Sequence, residues 1–285
     1  MGRPMTANLL RAVHAVVAYD LQQEKVDAAV RLGAQVGANP ADVARRSAVM
    51  ISMVDTTSQA EGVIIGANGF IKTAIPGDLV ISMSTVDPFA LQRMHQELAA
   101  MGIALIDAPV SGMDKGAREG TLKAFAGGDA AALEQGRPAL DAMCSEITHI
   151  GAIGQGCVMK IINNMLAQIN RIVVAEALVL GAKAGLDPKV MFDLVGKATG
   201  NSAAFQIYAP RMIAHDLKGS RMDITFKDME LQTALGKSLK VPLFMVTIGQ
   251  QVCQMGRAAG YGSEDGSAVV KVYEQFAGMS LADAP

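Results

Sequence analysis

Lys160 and Asn164 stand four residues apart in "GQGCVMKIINNM" (154–165), so a helix through them presents both on one face. Lys160 is flanked by Cys157, Val158, Met159, Ile161 and Ile162. An ammonium in such apolar company is either paired or has its pKa lowered by desolvation. A lysine of that kind can give or take a proton at neutral pH. Lone helical lysines more often point to solvent. Here the Gly154-x-Gly156 opening and the Asn163-Asn164 pair on an apolar helix favour a site.

A second segment, "DAPVSGMDKGAREGTL" (107–122), places Ser111 after an apolar strand. Glycines at 112, 116 and 120 let backbone N–H groups approach a ligand, and such a turn can cradle a carboxylate. A plain connection between strands is the alternative. Asp20 closes the short apolar run Ala15–Tyr19, 18 residues after Gly2. An acid so placed accepts hydrogen bonds from ribose hydroxyls in a dinucleotide-binding βαβ unit. It also repels a 2′-phosphate, and no Arg follows in "DLQQEK", which favours NAD over NADP. An ordinary helix cap explains the same Asp. In "STVDP" (84–88), Ser84 and Thr85 follow an apolar strand, at the end where open α/β sheets bind ligands; they also suit a helix start. Lys227-Asp228, within "ITFKDMELQTAL", reads by itself as a solvated turn. His14, His95, His149 and His215 show no metal spacing, so no metal site is expected.

The elements that must position these residues change character along the chain. Up to about residue 150, short apolar runs (15–19, 48–54, 78–84, 103–110) alternate with helical stretches (22–32, 58–67, 88–101). That alternation predicts βαβ units and a parallel sheet buried on both faces. From about 155 the pattern is helical. One long helix is expected from 155 to 185, about 45 Å at 1.5 Å per residue, then helices near 188–197, 203–214, 224–239, 243–259 and 266–277. The expected domains are 1–152, Rossmann-like, and 153–285, all-helical.

Composition narrows the partners. The 285 residues are 51% hydrophobic with a net charge of -2 and no Trp, which excludes a basic or base-stacking nucleic-acid surface. The mean hydropathy of +0.28 suits a large core. Cys144, Cys157 and Cys253 are odd in number and far apart, as expected of buried thiols in a reducing cytoplasm. No apolar leader is visible. The apolar stretch 161–186 is interrupted by seven polar residues between Asn163 and Lys183, so a buried helix is expected rather than a membrane span.

Together these segments resemble the β-hydroxyacid dehydrogenase family along nearly the whole chain. Its DAPVSGG…GA..GTL, G.G...K..NN, KDL and late [DE]-x-SAV segments appear in order as "DAPVSGMDKGAREGTL", "GQGCVMKIINN", "KDM" and "EDGSAVVK" (264–271). The resemblance implies an NAD-dependent oxidoreductase that interconverts a small 3-hydroxy acid and its semialdehyde or keto form by hydride transfer. It casts Lys160 as general acid and base, Asn164 as its substrate-orienting partner, and Ser111 and Gly112 as the carboxylate loop. It assigns Gly2, Asp20, Val54, Asp55, Gln59, Thr85 and Lys227 to the cofactor. It also implies a homodimer or homotetramer.

Four departures stand out. Met113 replaces a usual glycine, Asp55 a frequent proline, and "GNSAAF" (200–205) lacks an aromatic after its serine. Of the strand and G-x-G-x-M-G fingerprint only Met1-Gly2 has a counterpart, so the first strand and first two glycines are expected to be missing. Two other readings stay open: a degenerate member with a structural or binding role and weak or no cofactor binding, and a 6-phosphogluconate-dehydrogenase-like decarboxylase. The latter needs a cationic phosphate site, for which Arg118, Arg211 and Lys218 are the candidates.

Overall fold

In the computed structural model, which describes residues 1–283, the apolar runs of the first half become strands. Helix α1 (Gly2–Arg11) leads to β1 (Val17–Ala18), α2 (Gln23–Val30), β2 (Gln35–Val36) and α3 (Pro40–Arg45). Then come β3 (Val49–Ser52), α4 (Thr57–Ile64), β4 (Leu79–Ser82), α5 (Pro88–Ala99), β5 (Ala104–Asp107) and β6 (Val110–Ser111). Helix α6 (Met113–Glu119), β7 (Leu122–Gly127), α7 (Ala130–Asp141) and β8 (Cys144–Gly151) follow. Local chemistry starts several helices. The Asn39 side chain accepts from the Asp42 N–H with Pro40 at the first helical position, and Thr56 and Gln59 form a reciprocal capping box.

Strands β3, β4 and β5 pair in parallel. Leu79 and Ile81 of β4 pack into one buried cluster and Val80 into another, because successive side chains leave opposite faces. Helices cover both faces, and hence all four residues of β4 are buried. The expected all-parallel sheet is mixed instead: β7 runs antiparallel to β5 and β6, and β8 lies parallel to β7. The reason is chain length. Residues 112–121 join β6 to β7, too few for the crossover that a parallel pair needs. β1 and β2 form a separate two-stranded parallel sheet.

By contacts the chain divides after Lys160. The second unit consists of helices: most of α8 (Gln155–Lys183), then α9 (Pro188–Val195), α10 (Ala203–Ile213), α11 (Met222–Ser238), α12 (Phe244–Ala258) and α13 (Val269–Ala277). Its core gathers Ala175, Leu178, Phe205, Met212, Met222, Met229, Val246 and Val269. By length and composition alone α8 could cross a membrane. Its buried Gln168 and Arg171 are those of a core helix, since Arg171 donates to Thr225 Oγ1 at 2.7 Å and Gln232 donates to Gln168 Oε1 at 2.7 Å.

Candidate active site

β5 ends on Asp107, a carboxylate with no solvent exposure. Its Oδ1 accepts from the Gly154 N–H and its Oδ2 from the Cys157 N–H, both at 2.7 Å. Burial pushes this carboxyl up to about 6, against the lowering pull of the two bonds. The glycines of "GQG" follow from the same contact. Gly154 has φ +90°, and a Cβ on Gly156 would strike the Phe125 carbonyl oxygen, so α8 starts directly against β7. Lys160 stands on the next turn and is half-buried, and Asn164, one turn further, is half-buried too.

Four residues after Asp107, half-buried Ser111 ends β6, opposite Lys123 of β7. Gly112 follows with φ +130°, a backbone only glycine adopts without strain. Met113 is left-handed too, at φ +56°, and its side chain is exposed. The residue that replaces a usual glycine therefore keeps a glycine-like backbone.

In the second unit Asn164 Nδ2 donates to Asp228 Oδ2 at 2.9 Å, and Gln168 Nε2 donates to the same oxygen at 3.3 Å. Lys227 Nζ lies 2.8 Å from Asp228 Oδ1. Buried Asp228 thus fixes which way the Asn164 amide faces. The Lys227-Asp228 pair is no solvated turn. Sequence reasoning passed over Asp228 and Asp107 as individual residues. The available signals were an acid at the end of the apolar strand "IALID" and an acid flanked by Lys227 and Met229 on a helix.

The residues expected at the cofactor fall into separate groups. Asp20 follows β1, accepts from the Gln22 N–H at 2.9 Å, lies 3.8 Å from Lys25 Nζ and stays partly exposed. The Val54 N–H donates to Ser84 Oγ at 2.7 Å, which ties the loop after β3 to the end of β4, where Thr85 follows. Gln59 Oε1 accepts from the Asp55 and Thr56 N–H groups at 2.9 and 3.1 Å, so its side chain shapes that loop. Gly2 opens α1 with no atom within 4 Å of where a Cβ would stand. An open helix start, a strand-end carboxylate and two tethered loops at strand ends fit a dinucleotide. Lys227 belongs to the second unit.

Two further segments have structural work. Ser202 of "GNSAAF" caps α10 by accepting from the Phe205 N–H at 3.0 Å. In "EDGSAVVK", Asp265 accepts from the Ser267 N–H, and a Cβ on Gly266 would strike the Arg171 guanidinium. Of the cations named for a phosphate site, Arg118 pairs with Asp114, and Arg211 pairs with Asp265.

Comparison with known proteins bears on the whole chain. Residues 1–151 match a profile described as the NAD binding domain of 6-phosphogluconate dehydrogenase. Residues 154–273 match one described as NAD-binding of NADP-dependent 3-hydroxyisobutyrate dehydrogenase. The chain is 39% identical over 283 residues to 2-(hydroxymethyl)glutarate dehydrogenase of Eubacterium barkeri, covering 99% of this chain and 94% of that one. It is 33% identical to an NAD-dependent L-serine dehydrogenase of Pseudomonas aeruginosa, covering 98% and 96%. The crystal structure of 3-hydroxyisobutyrate dehydrogenase from Salmonella typhimurium superposes with a TM-score of 0.85 at 31% identity, covering 95% of each chain.

Proposed function

The chain belongs to the β-hydroxyacid dehydrogenase family of NAD(P)-dependent oxidoreductases, and from that premise we propose that it oxidises a small 3-hydroxy acid with Lys160 as the proton acceptor. The observation that carries this reading is the run from Lys160 to Asn164 on α8, with the Asn164 amide committed to Asp228. The Asn164 amide nitrogen gives one of its two hydrogens to that carboxylate, and its oxygen accepts one bond, from Asn163 Nδ2 at 3.3 Å. Its oxygen keeps a lone pair for a substrate hydroxyl, because an amide oxygen accepts two bonds. Lys160 takes the hydroxyl proton in the oxidation and returns it to the carbonyl oxygen in the reduction. Ser111 and the backbone of Gly112 hold the carboxylate. The nicotinamide, when bound, supplies the hydride acceptor.

NAD is the cofactor of this reading, held by Gly2, Asp20, Val54, Asp55, Gln59, Thr85 and Lys227. Support comes from the partly exposed Asp20 carboxylate, which disfavours a 2′-phosphate. The functional division is 1–152 for the cofactor together with the Ser111–Gly112 loop, and 153–285 for the rest of the substrate site, for Lys227 and for self-association. Exposed Ile162, Leu166, Val173 and Leu180 form a stripe along α8, and they support a homodimer or homotetramer. A monomer in sedimentation equilibrium refutes that assembly. Three buried cysteines, none of them in a disulfide among the described residues, support a cytoplasmic setting.

The test is a substrate panel with NAD and NADP: 2-(hydroxymethyl)glutarate, 3-hydroxyisobutyrate, L-serine, L-threonate and D-glycerate. Turnover of at least one with NAD is expected, and in Lys160→Ala a kcat lower by about a hundredfold to ten-thousandfold with the circular dichroism unchanged. Full activity of Lys160→Ala overturns the mechanism.

A further inference from the structure

We propose that Asp107 is the positioning residue for Lys160, clamping the first turn of α8 to the strand that leads into Ser111; this rests on the proton-transfer role of Lys160 given above. The clamp has two points. Asp107 Oδ1 takes the Gly154 N–H and Oδ2 takes the Cys157 N–H, three residues further along the same turn. One bond would leave the helix free to swivel; two, from one rigid carboxylate, fix both its height and its rotation. Lys160 is the residue one turn beyond Cys157 and inherits that placement.

The other side of the clamp is equally fixed. From Asp107 the chain runs through Ala108, whose N–H donates to Ser82 at 2.8 Å, and Pro109, whose carbonyl accepts from Phe125 at 3.1 Å. It then enters β6, paired with β7, and ends on Ser111. Two glycines let the parts close. A Cβ on Gly127 would strike Asp107 Oδ1, and one on Gly156 would strike the Phe125 carbonyl.

Stability alone does not call for an acid here. A fully buried carboxylate is costly, and a neutral residue of similar shape avoids that cost. What the carboxylate provides is two acceptors at a fixed spacing. A misplacement of about 1 Å at a reacting group can cost about a hundredfold in rate.

The experiment is steady-state kinetics of Asp107→Asn, Lys160→Ala and the double variant, with NAD and the best substrate of the panel. Asn matches the shape but turns an NH2 toward one of the two N–H groups. The expected result is a kcat lower by about tenfold to a hundredfold, with KM for NAD within about twofold of wild type. The double variant is expected to be no slower than Lys160→Ala alone, because a clamp that acts through Lys160 has nothing left to place. A kcat of Asp107→Asn within about twofold of wild type overturns the proposal, as does an additive loss in the double variant. Asp107→Ser serves if the Asn variant does not fold; if neither folds, Asp107 is a folding residue and the proposal fails. Wild-type turnover by Lys160→Ala sinks the proton role itself. An inactive Lys160→Ala beside a fully active Asp107→Asn sinks only the clamp.

Discussion

Asp107 makes a prediction about stability that is separate from its place in catalysis. Its carboxyl is raised from an ordinary 3.8 to about 6, with burial as the largest cause. Two opposing effects meet at this group. Short bonds from backbone N–H groups favour the charged form, and complete desolvation penalises it. The direction of the shift says that desolvation wins. A raised pKa means that the folded state holds the proton more tightly than the unfolded chain does. The favourable contribution is therefore complete below about pH 4 and is lost as pH rises through about 6. The rise corresponds to about 3 kcal/mol. Asp107→Asn is neutral at every pH and lacks this dependence. Part of the wild-type contribution is already lost at pH 4, so the difference in unfolding free energy between variant and wild type should move by about 2 kcal/mol in the variant's favour from pH 4 to pH 7. The other acids cancel in that difference. Urea unfolding at four or five pH values measures it, followed by far-UV circular dichroism because the chain has no Trp. With an m-value of about 3 kcal/mol/M, the midpoints should separate by about 0.7 M more at pH 7 than at pH 4. A difference independent of pH refutes the reasoning. A difference of opposite sign would mean that the two N–H bonds outweigh desolvation.

Two substitutions probe the remaining geometry. Asp228→Asn replaces the carboxylate that faces Asn164 Nδ2, Gln168 Nε2 and Lys227 Nζ. The loss of a charge-assisted bond, about 1.5–3 kcal/mol, should lower kcat/KM by about tenfold to a hundredfold, and an unchanged kcat/KM shows that Asp228 does not orient Asn164. Gly156→Ala drives a methyl into the Phe125 carbonyl oxygen, a backbone atom with no rotamer to move aside. The strain should cost about 1–3 kcal/mol and lower the melting temperature by several degrees; an unchanged melting temperature contradicts the direct contact of α8 with β7.

How far the sequence carried the reading depends on the range of the interaction involved. The helices of the second half were legible because their signals are local: Asp187 caps α9, Ser202 caps α10, and apolar residues recur at helical spacing. Strands β1, β3, β4 and β5 were legible as apolar runs, since burial on both faces leaves β4 with three apolar residues and only Ser82 polar. Strand direction was not. The antiparallel course of β7 depends on how few residues join it to β6, and the run "LKAFAG" says nothing of its neighbours. The site divides in the same way. Lys160 and Asn164 could be paired from their spacing on one helix. Asp107 meets the Gly154 and Cys157 amides across 47 and 50 residues, and Asp228 meets Asn164 across 64. No periodicity spans such distances. What the sequence did contain at both places was an anomaly without an explanation: an acid closing an apolar strand, and two glycines at the start of an apolar helix. The structure joins the two. The glycines leave out the side chains that would hold helix and sheet apart, and the acid fills the contact with a two-point acceptor. The Gly154-x-Gly156 opening, read from the sequence as favouring a site, serves at Gly156 as an approach for the protein's own carboxylate.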